Sequence, residues 1–434
     1  MEKLGIPTVT ITTDKFLFTS KTLAMTDGLP SLSLVAVKHP LELLTKSEIE
    51  AKADGAFNDI IKAATDPKTS VSPPKKSTAT SQKVYPAETI CYKGSIEDIN
   101  NYFFEKGWAT GIPIIPPTKA SVARMLTGTR RSPDEVLWVI PPRGGHLTVE
   151  LAAIHAVMAG ARPEYMPVII AIIEAMREDA CDWRSAVTTT PKWPVIVLNG
   201  PIIKELDIAY DTGTGGPGYK PNNSIGFTIG LIVNIVGGLK YPTPNMAPIG
   251  MGSEFVPAVM GENEDGIPES WEPLHVEMGF KKTDNVVSVK ICRGFNLLGE
   301  NGQSMVDMLS GYAKTLGWCR TPFDASEMFL IVPPQAAGLL AREGWTKNKI
   351  REYLWENARA PIKYWKRTYP KNAMTATLQN TEFCKKYGPI TPDTPVPPVD
   401  SPEKWKFLVT GGPSSHAFYY QGAQGRMVSK LITK

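Results

Sequence analysis

Residues 2–16, EKLGIPTVTITTDKF, decide how the chain is built. Thr8–Thr13 is rich in Val, Ile and Thr and reads as a β-strand, and the Gly5-Ile6-Pro7 turn before it is of the kind that follows the end of a helix. Outward from there come a helix over Lys15–Met25, a strand over Leu34–Val37, a His39-Pro40 turn and a helix over Thr45–Ala64 opened by a capping box, Thr45-x-x-Glu48. The second strand is continuously apolar rather than alternating, which points to parallel strands buried on both faces. Two strands with two helices make half of a doubly wound domain. Such a half leaves a sheet edge and an apolar face that another body must cover.

Residues 67–85 include KTSVSPPKKSTATSQKVY (68–85), with Ser, Thr, Pro and Lys but no acidic residue, and read as a linker by composition. Residues 86–434 read as a larger α/β substrate-binding domain. Its expected strands are Ile112–Ile115, Val136–Ile140, Val195–Leu198, Val286–Ile291, Met328–Val332 and Phe407–Thr410. Helices are expected over Ser121–Leu126, Thr148–Met158, Tyr165–Met176, Ser224–Val236, Ser304–Leu316 and Lys347–Asn357. Strand–helix alternation of this kind places sites at the loops that leave the strands.

Composition narrows the function classes. Among 434 residues, 42% are hydrophobic and 21% charged, which suits a globular chain with a substantial core. A net charge of +4, with no basic stripe interleaved with aromatics, argues against a nucleic-acid partner. The longest apolar run, Met166 to Ala175, contains Glu174 and is too short to span a membrane. No signal-peptide pattern opens the chain, so the expected location is cytoplasmic. Five scattered cysteines, Cys91, Cys181, Cys292, Cys319 and Cys384, form no C-x-x-C pair and read as reduced thiols.

Four stretches could carry chemistry. In PPRGGHLTVE (141–150), Arg143 and His146 lie on a glycine-rich turn before a helix capped by Thr148, with Glu150 in its first turn. Together they suit an anion or a carbonyl oxygen. His155, further along that helix, is expected to be a packed histidine. The loop YDTGTGGPGYKPNNS (210–224) is neither a Walker A loop nor a G-x-G-x-x-G turn, yet its glycines let a ligand approach the backbone, and Asn222 and Asn223 are expected just before a helix. MGENEDGIPESWEPLHVEMGF (260–280) offers Glu262, Glu264, Glu272, His275 and Glu277 for acid–base work or a metal, His275 and Glu277 pointing together only if the segment is extended. No compact spacing such as H-E-x-x-H occurs, so no metal is assigned, and no cofactor is identified. Finally GGPSSHAF (411–418) places Ser414, Ser415 and His416 at a strand exit, suited to phosphate or carboxylate recognition.

EKLGIPTVTITTDKF followed by LPSLSLVAVKHPL (29–41) resembles the C-terminal half of the domain found in UGSC-type (seleno)proteins. More distantly, it resembles the selenoprotein B component of glycine and betaine reductases. TGIPIIPPT (110–118), PPRGGHLTVE, AVMAGARPEYMPV (156–168), WEPLHVEMGF, REGWTKNKIREYLWENAR (342–359) and GGPSSHAF resemble the extension of the UGSC type. The resemblance implies a redox tetrapeptide, Sec or Cys followed by Gly-Ser-Cys, just upstream of the helix that leads into the Gly-Ile-Pro turn. None of the five cysteines can be assigned to it. A hetero-oligomer is therefore expected, in which a smaller subunit carries the CGSC-like motif and this chain binds a small polar or anionic substrate through Arg143, His146, Asn222, Asn223 and His416. Thiol-dependent reductive cleavage or group transfer follows, with His146 or His275 as proton donor. The alternatives are a self-contained hydrolase or lyase using His146, Glu150, His275 and Glu277, with or without a metal, and a non-catalytic scaffold subunit.

Overall fold

The computed structural model describes residues 2–4, 6–41, 44–65, 85–298, 304–318, 327–365 and 381–433, so residues 67–84 of the linker and Cys319 lie outside the described residues. The fold is α/β, in two compact units. One unit comprises Met1–Gly160, Ala186–Pro191 and Gly230–Gly250; the other comprises Ala161–Ser185, Lys192–Ile229 and Met251–Lys434.

In the first unit β1 (Val9–Thr13), α1 (Leu17–Thr26), β2 (Ser33–Val37) and α2 (Lys46–Thr65) follow the expected order, and β1 pairs with β2 in parallel register. Thr45 caps α2 as the capping box predicts, its backbone N–H donating to Glu48 at 2.7 Å. At the carboxyl ends of the two strands Asp14 clamps β1 to the segment after β2: its N–H donates to Val37, and its carboxylate accepts from His39 N–H and pairs with Lys38. The core of this segment is small, drawn from Thr13, Thr19, Ala24, Val35 and Ala56. Much larger apolar groups stay outside it. Ile11 is 54% exposed, Phe18 75%, Met25 63% and Phe57 60%. Along α2, Ile49, Ala53, Phe57 and Ile61 follow at intervals of four and form one exposed stripe.

The same unit continues through α3 (Ile96–Glu105) and α4 (Lys119–Leu126) to the antiparallel pair β3 (Val136–Ile140) and β4 (Gly145–Thr148), then α5 (Val149–Met158). The expected strand Ile112–Ile115 does not form. Pro113 removes a ladder donor from that stretch and Pro116-Pro117 follow it, while the Ile114 N–H goes to Asn100 Oδ1 and the Ile115 N–H to the Met158 carbonyl.

In the second unit a buried helix, α6 (Met166–Met176), precedes β5 (Trp193–Asn199), α7 (Ile202–Glu205), α8 (Lys220–Leu231), β6 (Val259–Gly261), α9 (Leu274–Glu277) and β7 (Val286–Leu297). There follow α10 (Met305–Gly317), β8 (Met328–Val332), α11 (Pro334–Arg342), α12 (Lys347–Asn357), the short pair β9 (Ala360–Pro361) and β10 (Pro395–Val396), and α13 (Glu382–Tyr387). The chain ends with β11 (Trp405–Val409), β12 (Phe418–Gly422) and β13 (Val428–Leu431). The strands run in the order β11-β8-β12-β7-β5-β6, with β13 beside β7. Within this sheet, among the described residues, only β11/β8 and β5/β6 are parallel.

Every residue of β5 and β8 is buried, because both faces of the sheet are covered. One face carries Trp193, Val195, Val197, Cys292, Phe329, Ile331, Leu408 and Tyr420 in a single cluster. Leu330, Val332, Trp405, Phe407 and Val409 pack on the other side among residues of α10, α11 and α12.

The two edge strands meet. Asn263 N–H donates to the Val409 carbonyl at 2.7 Å, and Thr410 Oγ1 donates to the Gly261 carbonyl at 2.7 Å. Between them lies Glu262, 1% exposed, whose carboxylate accepts from Asn199 Nδ2 at 2.6 Å, Leu274 N–H at 2.7 Å and Val409 N–H at 3.3 Å. One side chain thus ties the ends of β5 and β11 to the start of α9. Replacing Glu262 with Ala orphans these buried donors and is expected to cost about 3–5 kcal/mol. Glu262→Gln, which keeps one acceptor oxygen, should lose less, and urea unfolding of the two variants checks the order.

Candidate functional site

The sequence-predicted residues fall into two groups, one in each unit. In the first unit the turn between β3 and β4 holds Arg143 and Gly144, the latter at φ +73°. Arg143 is exposed, donates from Nη1 to the Ile235 carbonyl at 3.3 Å and packs its stem where a side chain on Gly238 would lie. Lys240, which the sequence reading did not single out, adds a second cation here. Its ammonium donates to the Gly107 carbonyl at 2.6 Å, and burial, then the Arg143 charge, lower its pKa. Two neighbouring cations of this kind suit an anion. His146 sits exposed on β4, and Glu150, in the first turn of α5, accepts from Ala87 N–H at 2.7 Å.

The turn also lies against the N-terminal segment. A Cβ on Gly144 would stand 3.8 Å from Thr22 Cγ2 of α1. The cations of the turn and the segment with the uncovered apolar face are therefore neighbours within one unit.

His155 is the packed helix histidine expected of it. Its ring is 3% exposed and Nδ1–H donates to the Leu151 carbonyl at 2.7 Å. Burial lowers its pKa from the ordinary 6.5 to about 4.

In the second unit, Asn222 and Asn223 lie inside the first turn of α8 rather than ahead of it, since the helix starts at Lys220 with Pro221 next. Asn222 is 2% exposed and wholly engaged with backbone. Its Oδ1 accepts from Ala209 N–H at 2.9 Å, while Nδ2 donates to the carbonyls of Ala209 at 3.2 Å and Val259 at 2.8 Å. Asn223 Nδ2 donates to Gly216 and Tyr219 carbonyls at 3.1 and 2.8 Å. Both amides thus anchor the glycine loop. Gly213, Gly215 and Gly218, all at positive φ, let that loop turn back on the helix.

His275 and Glu277 do not point together. The segment is helical, so the pair splays: Glu277 turns outward to Arg351 at 2.9 Å and Lys347 at 3.4 Å. His275 is 0% exposed and neither ring nitrogen has a hydrogen-bond partner, although Nδ1 lies 3.9 Å from Glu264 Oε1. Glu264 itself accepts from Asn199 Nδ2 at 3.1 Å and Gly200 N–H at 2.7 Å. Neighbouring Glu262 has its pKa raised by burial, against the opposing pull of Lys347 and its three donors. After β11, Ser414 Oγ accepts from His416 N–H at 3.0 Å and lies 3.1 Å from its Nδ1, and the Ser415 carbonyl accepts from Tyr312 at 3.3 Å. His416 is exposed.

Among the described residues no three His, Cys, Asp or Glu side chains gather as metal ligands, and no helix is long and apolar enough to cross a membrane. Cys181 and Cys292 are buried and their thiols are pushed up to about 12, which suppresses the thiolate that a nucleophile needs.

The parallel β1–β2 pair with its two helices gives the N-terminal segment its α/β class. The model of the UGSC family matches residues 1–66 of the 434, so this segment is similar to the members of that family. The blocks quoted from the remaining chain, and the link to glycine and betaine reductases, stay at the level of resemblance. No curated protein and no solved structure matches the chain.

Two tests follow from these placements. Asn222→Ala leaves the Ala209 and Val259 groups unpaired and should destabilise the chain by about 3 kcal/mol, against about 1 kcal/mol for the half-buried Asn223, both read by urea unfolding. His155 stays neutral in the folded state while the unfolded imidazole takes up protons below 6.5. Stability should therefore fall by about 3 kcal/mol as pH drops from 6.5 to about 4. In His155→Gln that part of the slope should vanish from the melting-temperature profile.

Proposed function

We propose that the chain is the larger subunit of a hetero-oligomeric, thiol-dependent redox enzyme, completed over residues 1–66 by a smaller chain that carries a Cys-Gly-Ser-Cys-like element. The observation that carries this reading is the open half-domain: a two-stranded parallel sheet whose helices leave Phe18, Met25 and Phe57 more exposed than not, beside a cationic turn. A partner that adds strands to this sheet covers the face by β-augmentation. It also brings its redox pair toward the carboxyl ends of β1 and β2, where open α/β sheets hold their ligands.

In this scheme Arg143 and Lys240 hold a small anionic or polar substrate. A partner thiolate attacks it, and His146 protonates the displaced group. The second thiol of the pair then attacks the sulfur that holds the remaining fragment, closing the disulfide and releasing the fragment with the bonding electron pair, which takes up a proton. The substrate is reduced by two electrons, and an external dithiol, itself oxidised to a disulfide, restores the pair.

A second reading, a self-contained hydrolase or lyase in the second unit, draws on the unpartnered His275 beside Glu264. It requires substrate to reach a ring that is 0% exposed.

Purification with and without a CGSC-bearing smaller chain separates the readings. The complex should reduce substrate and the 434-residue chain alone should not. An active, stable monomer would sink the proposal. Ile11→Asp combined with Phe57→Glu should abolish complex formation without unfolding the second unit, and Arg143→Ala in the intact complex should lower kcat/KM by about 10- to 100-fold.

A further inference from the structure

In the second unit a pocket of about 520 Å³ is walled by the glycine loop at 215–217, the first turn of α8, most of the segment 251–259, Trp193 and Phe295. Side chains suited to chemistry gather elsewhere, at the carboxyl ends of strands, where α/β sheets hold their ligands. Asn199 ends β5, Glu262 and Glu264 follow β6, and Val409 at the end of β11 donates its N–H to Glu262. Thr410 Oγ1, next along, reaches the carbonyls of Tyr210 at 2.9 Å and Gly261 at 2.7 Å. A Cβ on Gly412 would stand 2.2 Å from Thr212 Oγ1, so the turn after β11 lies against the glycine loop. Three stretches that the sequence singled out therefore meet at one place.

His275 of α9 faces the same place. Its ring is 0% exposed, and among the described residues neither nitrogen has a hydrogen-bond partner. A buried polar group left unpaired is costly, and a bound ion is one way to satisfy it. Nδ1 lies 3.9 Å from Glu264 Oε1. A shared proton needs a separation of about 3.2 Å or less, whereas two metal–ligand bonds of about 2.0–2.2 Å span the observed one. The carboxylate is held in position for this. Its Oε1 accepts from Asn199 Nδ2 at 3.1 Å and from Gly200 N–H at 2.7 Å, the kind of support that a ligating carboxylate has. Asn199 Nδ2 also holds Glu262 at 2.6 Å, so two carboxyl groups share one amide, whose own buried Oδ1 has no partner among the described residues. Acceptors here outnumber the donors that serve them, a condition that a cation meets.

We propose that His275 Nδ1 and the Glu264 carboxylate together bind a divalent transition-metal ion of the zinc class. An imidazole ligand suits zinc, whereas magnesium prefers oxygen ligands alone. Among the described residues no group of three His, Cys, Asp or Glu side chains forms a metal site, so the other coordination positions stay open to water or to a substrate atom. Their approach runs past Glu264, whose side chain is 21% exposed. The site lies outside residues 1–66, and its failure leaves the redox reading of that segment untouched.

Calorimetric titration of the full chain, stripped of metal by a chelator, with Zn²⁺ and with Mg²⁺ tests it. Zn²⁺ should saturate one site that Mg²⁺ does not fill at the same concentration. His275→Gln and Glu264→Gln should each weaken Zn²⁺ binding by about 10- to 100-fold. Cys91→Ser, which removes an exposed thiol, should leave it unchanged. Glu264→Gln keeps the shape and one acceptor oxygen, so it remains informative if the His275 variant fails to fold. Zn²⁺ should also raise the melting temperature of the unmodified chain and do so less in Glu264→Gln. Absence of saturable Zn²⁺ binding, Zn²⁺ affinity that persists in both variants, or Mg²⁺ binding as tight as Zn²⁺ overturns the assignment.

Discussion

The second unit depends on one buried carboxylate. Glu262 accepts hydrogen bonds from β5, from the residue that ends β11 and from the start of α9, at the place where the first and last strands of the sheet order come together. A buried carboxylate without partners would be prohibitive, so its three donors must be in place for the carboxylate to be tolerated. Their placement fixes what surrounds it. Thr410 reaches both Gly261 and Tyr210 carbonyls, Gly411 N–H donates to Tyr210, and the glycine loop that follows Tyr210 is held from its other side by Asn222 and Asn223. A chain of satisfied polar groups therefore runs from the sheet closure to the loop that walls the pocket.

The first unit shows the opposite condition. Its N-terminal segment is regular, capped and clamped by Asp14, yet its core is made of small residues while phenylalanine and methionine face outward. Elsewhere in the chain a seven-stranded sheet is covered on both faces, so the same sequence is able to bury large apolar surface where its topology allows. The contrast is why the half-domain, rather than any single polar residue, supports the reading of a completed heteromer. Burial of Cys181 and Cys292 bears on the same reading, since a thiol held near a pKa of 12 is a poor source of the nucleophile.

Elements were legible wherever local signals agreed. Thr45 and Glu48 marked a helix start, and the apolar runs of β5, β7, β8 and β11 marked buried strands, because capping and hydrophobic runs act within a few residues. The Ile112–Ile115 stretch misled because its apolar residues suggest a strand while Pro113 within it and Pro116-Pro117 just after it lack ladder donors. At the sites the sequence found residue types but not their employment. Asn222 stood out as a polar residue beside a glycine loop, and it does border the pocket, but its amide is spent on Ala209 and Val259. His275 and Glu277 stood out as a pair, and one turn of helix sends them in different directions.

The sequence by itself determined the α/β class, the parallel β1–β2 pair and its similarity to the UGSC family, since each rests on residues close together along the chain. Only the tertiary structure decided which polar groups meet. Glu262 and Val409 are separated by 147 residues and Trp193 and Phe295 by about a hundred, yet each pair shares one site. Their meeting follows from strand order and sheet closure. These are set by the burial of both sheet faces at once, a condition on the whole unit that no local pattern encodes.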